Sequence, residues 1–179
     1  EVHKYINDCY YENGVMAVDY LEFGVFQGKS VKLWTNLNQN PGSRFFGFDS
    51  FEGLPEVWRS GVSEGAFDVG GVLPDISDDR VEFVKGWFQN TLPSFLDTFS
   101  SDRRMVIHND SDLYSSTLYC LTSLDCNRVL KPGTIIIFDE FGDPSHEFRA
   151  LHDYASAFGR KWKPIAATDN FWTTAIELE

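Results

Sequence analysis

The stretch Leu21-Glu22-Phe23-Gly24-Val25-Phe26-Gln27-Gly28-Lys29-Ser30 passes from a short apolar run, through two glycines, into a pattern typical of a helix. Glycine lets the backbone turn tightly and approach a ligand, and the first turn of a helix presents free N–H groups. The stretch is not G-x-G-x-x-G, because Phe26 fills the slot of the second glycine, and it is not a P-loop, because Gly24 is one residue too close. Glu22 suits a cationic ligand group better than a pyrophosphate, and a plain structural turn is the alternative.

Apolar runs and amphipathic stretches alternate on both sides of this turn, which is typical of an α/β fold. The strand-like runs are Tyr20–Phe23, Arg44–Phe48, Val81–Val84, Met105–Ile107, Thr134–Phe138, Trp162–Ala167 and Thr173–Leu178. Helices are predicted at Lys29–Asn38, at Ser115–Leu130 and, with Ser145 as N-cap, at Ser145–Phe158. Because Thr168-Asp169-Asn170 is a tight turn, the last two strands are predicted to pair antiparallel. The expectation is a mostly parallel seven-stranded sheet with helices on both faces and an antiparallel terminal hairpin.

Length and charge restrict the function classes. The 179 residues, of which 42% are hydrophobic, suit a single domain spanning residues 1–179. A formal net charge of −12 repels phosphate backbones, so no nucleic-acid partner is expected unless folding assembles a basic patch. The densest basic clusters, Arg103-Arg104 and Arg160-Lys161-Trp162-Lys163, are short and are interpreted as solvated surface.

Membrane and secretory signals are missing from the sequence. No apolar run approaches the roughly 20 residues of a membrane helix, so no membrane association is expected. Cys9, Cys120 and Cys126 lack paired spacing, which argues against a disulfide framework or a zinc site and favours a cytoplasmic location. The chain opens at Glu1 without a methionine, which leaves a missing native N-terminus open.

An acidic residue closes the second predicted strand. Asp49 in Phe46-Gly47-Phe48-Asp49-Ser50 lies roughly the ~20 residues beyond the glycine turn at which an acid can accept ribose hydroxyls. An Asx turn at a strand end is the alternative for a lone Asp. Together with the glycine turn, Asp49 favours a nucleoside-bearing ligand.

Further acids follow the next two interior strands. Asp110 lies in His108-Asn109-Asp110-Ser111-Asp112-Leu113-Tyr114, and Asp139 and Glu140 lie in Phe138-Asp139-Glu140-Phe141. Carboxyl ends of neighbouring parallel strands converge on the crevice where α/β sheets bind ligands. These three carboxylates are hard oxygen ligands for Mg²⁺ or a similar cation, with helix capping by one or two of them as the alternative.

One long segment interrupts the alternation of strands and helices. Ser50–Arg80 contains five glycines and little periodicity, and its aromatic residues Phe51, Trp58 and Phe67 favour a lid over a disordered tail. We therefore expect residues 50–80 to be a mobile lid, with a permanently packed excursion as the alternative.

Taken in order, these motifs resemble the macrocin O-methyltransferase group of the class I S-adenosylmethionine-dependent methyltransferases. The resemblance extends from about residue 20 to the final hairpin, and it rests on the segments Glu22–Gly28, Phe48–Pro55, Lys85–Phe88, Thr91–Pro93, Asp110–Thr117, Leu130–Gly133 and Ile137–Phe141. It implies a Rossmann-like class I methyltransferase fold, whose last strand is reversed, in agreement with the predicted hairpin.

The resemblance also implies roles for individual residues. The methionine part of S-adenosylmethionine would be bordered by Glu22, Gly24, Phe26 and Gly28. Asp49 would hold the ribose, Ser50 would lie beside the adenine, and the segment Gly86-Trp87-Phe88 would close on the adenine ring. Asp110, which would also border the cofactor, matches a magnesium position together with Asp139 and Glu140.

Two positions depart from the family pattern. The family commonly has a second Asp where Glu140 stands, and members with a known base have a His where this chain has Gly142. Asp110 is a candidate catalytic residue, and His146 and Asp143 are candidate substitutes for the missing His. For His146, a first-turn helix residue facing solvent is the alternative.

The resulting expectation is a metal-assisted O-methyltransferase that acts on a hydroxyl of a small molecule, such as a sugar or a catechol-like compound. A non-catalytic cofactor-binding domain of the same fold is one alternative. A nucleotide-dependent oxidoreductase is another, although G-x-G-x-x-G is missing and the terminal hairpin speaks against it. Homo-oligomerisation is left open.

Overall fold

The strands of the central sheet fall within two residues of their predicted bounds. The computed structural model describes all 179 residues. Its strands are β1 (Val18–Phe23), β2 (Arg44–Asp49), β3 (Val81–Lys85), β4 (Arg104–Asn109), β5 (Ile135–Phe138), β6 (Trp162–Ala167) and β7 (Thr174–Leu178). Its helices are α1 (Val2–Tyr10), α2 (Lys29–Leu37), α3 (Phe88–Leu96), α4 (Tyr114–Cys126) and α5 (Glu147–Phe158).

The seven strands form one sheet in the order β3-β2-β1-β4-β5-β7-β6. The first five strands pair in parallel, whereas β7 is antiparallel to both β5 and β6. Within the connecting turn, Thr168 N–H donates to the Thr173 carbonyl and Trp172 N–H donates to Asn170 Oδ1. The predicted fold and its antiparallel terminal hairpin are confirmed.

The helices differ from prediction at particular residues. α4 ends at Cys126 rather than Leu130, because Arg128 adopts a left-handed φ of 60° and turns the chain back so that Val129 and Leu130 are buried. The prediction of Ser145 as N-cap of α5 is wrong, since His146 occupies that position. α1 and α3 were not predicted, and α3 contains Pro93, which usually breaks a helix interior.

The sheet has a buried core on each face. One cluster contains Leu21 and Phe23 of β1 and packs under α3, α4 and α5. The other contains Val18 and Tyr20, which alternate with the first pair along the strand, and it packs under α1 and α2. Two covered faces explain why the interior strands are apolar without strict alternation. The helices leave uncovered the edge of the sheet at the carboxyl ends of β1, β2, β4 and β5. None of the helices is long and apolar enough to cross a membrane.

Candidate active site

A cavity of about 190 Å³, here called the crevice, opens at the carboxyl ends of the parallel strands. Nine of the predicted site residues line it: Gly24, Phe26, Asp49, Ser50, Gly86, Trp87, Phe88, Asp110 and Glu140. Four others, Glu22, Gly28, Asp139 and His146, do not line it. Topology therefore brings most of the predicted residues together, since they follow different strands of one sheet edge.

The two glycines of the turn after β1 serve different contacts. A Cβ at Gly24 would lie 1.8 Å from the Asp110 carbonyl oxygen, so only glycine lets the end of β4 approach the turn. A Cβ at Gly28 would lie 2.8 Å from Pro74 Cβ, and Gly28 has a left-handed φ of 71°. Gly24 therefore shapes the crevice, whereas Gly28 lets the segment after β2 pack against the start of α2.

The Asp49 carboxylate joins this turn to the end of β2. Its Oδ2 accepts hydrogen bonds from Val25 N–H and Phe26 N–H, both at 2.8 Å, and its Oδ1 accepts one from Phe51 N–H at 2.7 Å. A carboxylate has about four acceptor positions, so acceptor capacity is left for a ligand hydroxyl. Asp49 thus fixes the turn and faces the crevice.

The wall opposite the turn is formed by Ser50 and the segment after β3. Ser50 Oγ accepts a hydrogen bond from Glu52 N–H at 3.1 Å. Gly86 donates its N–H to the Asp49 carbonyl at 2.8 Å, which draws the following residues over the end of β2. Phe88 then packs edge-on against Phe23, with ring centroids 5.6 Å apart. These contacts leave a flat, partly aromatic wall suited to a planar ring.

Three carboxylates, here called the acid cluster, meet at the ends of β4 and β5. Oxygens of Asp110, Asp139 and Glu140 lie within 4.8 Å of one another. Burial raises the pKa of Asp110 well above its ordinary value, and it raises the pKa of Glu140 to about 8, with smaller contributions from the charges of Asp112 and Asp139. Glu140 Oε2 is buried and has no hydrogen-bond partner. An oxygen-rich set with an unpaired buried carboxylate oxygen fits a hard divalent cation.

Glu22 lies away from the crevice, under the face of the sheet covered by α1 and α2. It is 1% exposed, it accepts a hydrogen bond from the Tyr20 hydroxyl, and its Oε2 lies 3.3 Å from His108 Nδ1. The side chain belongs to a buried polar network behind the turn. The Glu22 carboxylate therefore does not face the crevice.

His146 and Asp143 lie on the segment between β5 and α5. His146 Nδ1 is buried without a partner, and its ring lies edge-on 6.3 Å from that of Trp58, between centroids. Asp143 Oδ1 accepts a hydrogen bond from Ser145 N–H at 2.8 Å. His146 therefore packs under the segment that follows β2, whereas Asp143 stabilises its own loop.

That segment, residues 50–80, covers the crevice without forming a helix or a named strand. Phe51 and Trp58 are buried, whereas Phe67 is 44% exposed and packs edge-on against Phe26, with ring centroids 5.7 Å apart. Arg59 lies over the Trp58 ring at 3.8 Å. The segment thus has anchored aromatic residues near its start and an exposed aromatic contact across the mouth of the crevice.

A family model described as Macrocin-O-methyltransferase (TylF) matches residues 73–174, which is more than half of the chain. The chain belongs to the macrocin O-methyltransferase family. The match includes the ends of β3, β4 and β5 and therefore the acid cluster. The resemblance inferred from the sequence motifs is confirmed.

Individual relatives agree with this family. The chain is 32% identical over 181 residues to 8-demethyl-8-(2,3-dimethoxy-alpha-L-rhamnosyl)-tetracenomycin-C 4'-O-methyltransferase of Streptomyces olivaceus, covering 86% of this chain and 65% of that protein. It is 30% identical to demethyldecarbamoylnovobiocin O-methyltransferase of Streptomyces niveus, covering 76% of this chain and 60% of that protein. The chain thus spans less than two thirds of each of these relatives. Calicheamicin methyltransferase CalS11 has the same fold, with a TM-score of 0.73 at 23% identity over 98% of this chain and 78% of the solved one.

Two residues of this family member were missed by sequence reasoning. Asp112 lines the crevice, and burial raises its pKa to about 7, although the nearby charge of Arg59 lowers it. Glu147 is fully buried and accepts hydrogen bonds from Asn109 Nδ2 at 2.8 Å and from the Glu140 N–H at 3.0 Å. Asp112 stands in the motif after β4, whereas Glu147 carries no sequence signal, since acids are common in the first turn of a helix.

Proposed function

We propose that the chain transfers the methyl group of S-adenosylmethionine to a hydroxyl of a small molecule, with a sugar hydroxyl as the favoured acceptor. The observation that carries this proposal is that Gly24, Asp49 and two members of the acid cluster, Asp110 and Glu140, line one crevice. The named activity of the Streptomyces olivaceus relative, on a rhamnosyl group, supports the sugar. Solved structures of the same fold described with S-adenosylhomocysteine or with Mg and S-adenosylmethionine support the cofactor.

The crevice wall suggests how the cofactor would lie. Asp49 would accept a ribose hydroxyl with the acceptor capacity that its backbone contacts leave free. The turn at Gly24 and Phe26 would face the methionine part, and Ser50 with Gly86-Trp87-Phe88 would enclose the adenine. In this arrangement the methyl group would lie on the side of the crevice that Asp110 and Glu140 line.

The acid cluster would hold the divalent cation, for which we propose Mg²⁺. Asp110, Asp139 and Glu140 offer the hard oxygen ligands, and Glu140 Oε2 has no other partner. When bound, the cation would supply Lewis-acid polarisation of the acceptor hydroxyl. Thr173 Oγ1 donates to Asp139 Oδ1 at 3.0 Å and would keep that ligand oriented.

Methyl transfer is an in-line displacement in which the acceptor O–C bond forms as the S–C bond breaks, and the hydroxyl proton leaves to a base. Asp110 would take the proton, because its carboxylate lines the crevice beside the proposed path of the methyl group. His146 is the other candidate, and it would need the segment that carries Trp58 to move. Phe26 and Phe67 would exclude water from the mouth of the crevice.

A non-catalytic cofactor-binding domain is the second candidate, and Gly142 favours it, because members with a known base have a His there. Transfer of a labelled methyl group from S-adenosylmethionine to a panel of deoxysugar conjugates and catechols, with and without Mg²⁺, tests both. Label in an acceptor supports the methyltransferase. Binding of S-adenosylhomocysteine by calorimetry without transfer to any acceptor would favour the binding domain.

A further inference from the structure

Four cations converge on a second cavity, at the other end of the sheet from the crevice. Arg103 and Arg104 lie at the amino end of β4, and Arg128 and Lys131 lie between α4 and β5. They line a cavity of about 300 Å³, here called the basic cleft. In the sequence Arg103-Arg104 is a short cluster and was interpreted as solvated surface; the other two cations are distant along the chain. Folding therefore assembles a basic patch that the acidic composition of the chain does not indicate.

Most of the charge of the basic cleft is not neutralised within the chain. No Asp or Glu lines it, and Arg104, Arg128 and Lys131 form no salt bridge. Arg103 lies 3.7 Å from Asp19, but Asp19 is also bound by Arg44 at 2.7 Å, so two arginines share one buried carboxylate. In a chain with 27 acids and 15 bases, four cations that share part of one carboxylate are a local reversal of charge.

The side chains of the basic cleft are spaced around a concave surface. The Arg104 guanidinium reaches across to the loop before β5, since a Cβ at Gly133 would lie 3.6 Å from Arg104 Nη1. Ser100 and Ser101 add hydroxyl groups to the lining, and Phe99 adds an apolar ring. Guanidinium forks and an ammonium group around a small cavity are the donors that match phosphate oxygens.

We propose that the basic cleft binds the phosphate groups of a small molecule, at a site separate from the crevice. The size of the cavity favours a small ligand over a nucleic acid. Outside the cleft, eleven Lys and Arg face 27 Asp and Glu, so an extended polyanion would be repelled beyond it. The proposal does not depend on methyl transfer, because the two cavities lie at opposite ends of β4.

Calorimetric titration of the whole chain with inorganic pyrophosphate, in metal-free buffer at low salt, tests the proposal. The variant R104Q/R128Q removes two cations of the cleft, and K32Q/R149Q removes the same charge from exposed positions on α2 and α5. We expect saturable binding by the wild type that weakens about tenfold to hundredfold in R104Q/R128Q, as the loss of charge-assisted hydrogen bonds implies. We expect the control to keep its affinity, and saturation with S-adenosylhomocysteine to leave it unchanged.

Three results would overturn the proposal: no binding by the wild type up to about 10 mM, equal affinity in the wild type and R104Q/R128Q, or the same loss in K32Q/R149Q. Tighter binding of a short DNA duplex that depends on Arg104 and Arg128 would replace the small ligand with a nucleic acid. Thermal melts check the fold of each variant. If R104Q/R128Q is destabilised, the single variants Arg104→Gln and Lys131→Gln take its place with the same expectation.

Discussion

At the carboxyl ends of β4 and β5 the chain gathers three carboxylates, two of which line the crevice, whereas at their amino ends it places four cations around another cavity. The carboxylates are partly or wholly withdrawn from water, and burial raises the pKa of Asp110 and Glu140. Arg104, Arg128 and Lys131 are exposed and keep their solvation. The same strands thus support two sites whose charges differ in sign and in how much they destabilise the folded protein.

The two sites differ in how their charges affect the stability of the fold. Desolvated like charges destabilise the protein until a proton or a cation neutralises them, so the acid cluster is poised to take up a ligand. Exposed cations are screened by water and salt, so the basic cleft costs the fold little and binds its ligand weakly at high ionic strength.

The largest effect is expected for Asp110→Asn. The substitution keeps the shape of the side chain but removes a carboxylate that we propose as base and cation ligand. Turnover should fall about 10²- to 10⁴-fold, the range typical of losing general-base catalysis, while the affinity for S-adenosylhomocysteine changes little. Steady-state kinetics and calorimetry measure the two effects.

Asp97→Asn, at the exposed end of α3, is the matched control, because it removes the same charge from a position outside the crevice. Relief of repulsion inside the acid cluster should also raise the melting temperature of the metal-free Asp110→Asn protein. Turnover near the wild-type level would assign the proton to another group, with His146→Gln as the next variant to measure.

The next largest effect is expected for Asp49→Ala. The loss of a charge-assisted bond of about 1.5–3 kcal/mol to the ribose predicts roughly tenfold to hundredfold weaker binding of S-adenosylmethionine. Val25 N–H and Phe26 N–H also lose their acceptor, so the turn should loosen as well. Asp49→Asn separates the roles, since it keeps one oxygen for the turn. Unchanged affinity in Asp49→Ala would refute the ribose contact.

A smaller effect concerns the pH dependence of stability. Glu140, with its pKa raised from 4.5 to about 8, and Asp112, raised from 3.8 to about 7, bind protons in the folded state that the unfolded chain has released. The free energy of unfolding of the metal-free protein should therefore fall as pH rises from about 5 to 8. A loss of only about 2 kcal/mol of unfolding free energy, at roughly 2 °C per kcal/mol, would lower the melting temperature by about 4 °C, and we expect at least this drop.

Mg²⁺ should reverse this drop, because it binds the deprotonated carboxylates and stabilises the fold most at high pH. Glu140→Gln supplies the control, since it removes one titrating group and should flatten the pH dependence of the melting temperature. A metal-free protein that is more stable at pH 8 than at pH 5 would contradict the burial of charge at this end of the sheet.

The fold was largely predictable from sequence because its interior strands are buried on both faces and are therefore apolar runs. The reversed last strand followed from the short turn at Thr168-Asp169-Asn170. α3 was not predicted because it contains Pro93, and proline usually indicates the end of a helix. The early end of α4 was not predicted because Arg128 takes a left-handed conformation that usually needs glycine.

The site was predictable where it depends on topology and not where it depends on side-chain direction. Asp110 and Glu140 follow neighbouring parallel strands, so their convergence is a property of the sheet. The Glu22 side chain points away from the crevice, toward Tyr20. Alternation along β1 sets this direction, but only the structure shows which core lies on which face of the sheet. The proximity of Arg104 and Lys131 was not predictable for a similar reason. It depends on the geometry of the loop before β5, which the periodicity of the sequence does not encode.

The smallest effect is expected in the segment proposed as a lid, residues 50–80. Phe51 and Trp58 anchor its start, so it should not unfold as a whole, but Phe67 is exposed and can bury more surface against a filled crevice. Amide exchange around Phe67 should slow by about fivefold when S-adenosylhomocysteine is bound, which corresponds to about 1 kcal/mol. The loop at residues 127–134, which borders the basic cleft, is the internal control and should exchange equally in both states. Equal exchange throughout residues 50–80 would make the segment a permanently packed cover, and the two ends of the sheet would then differ in charge but not in mobility.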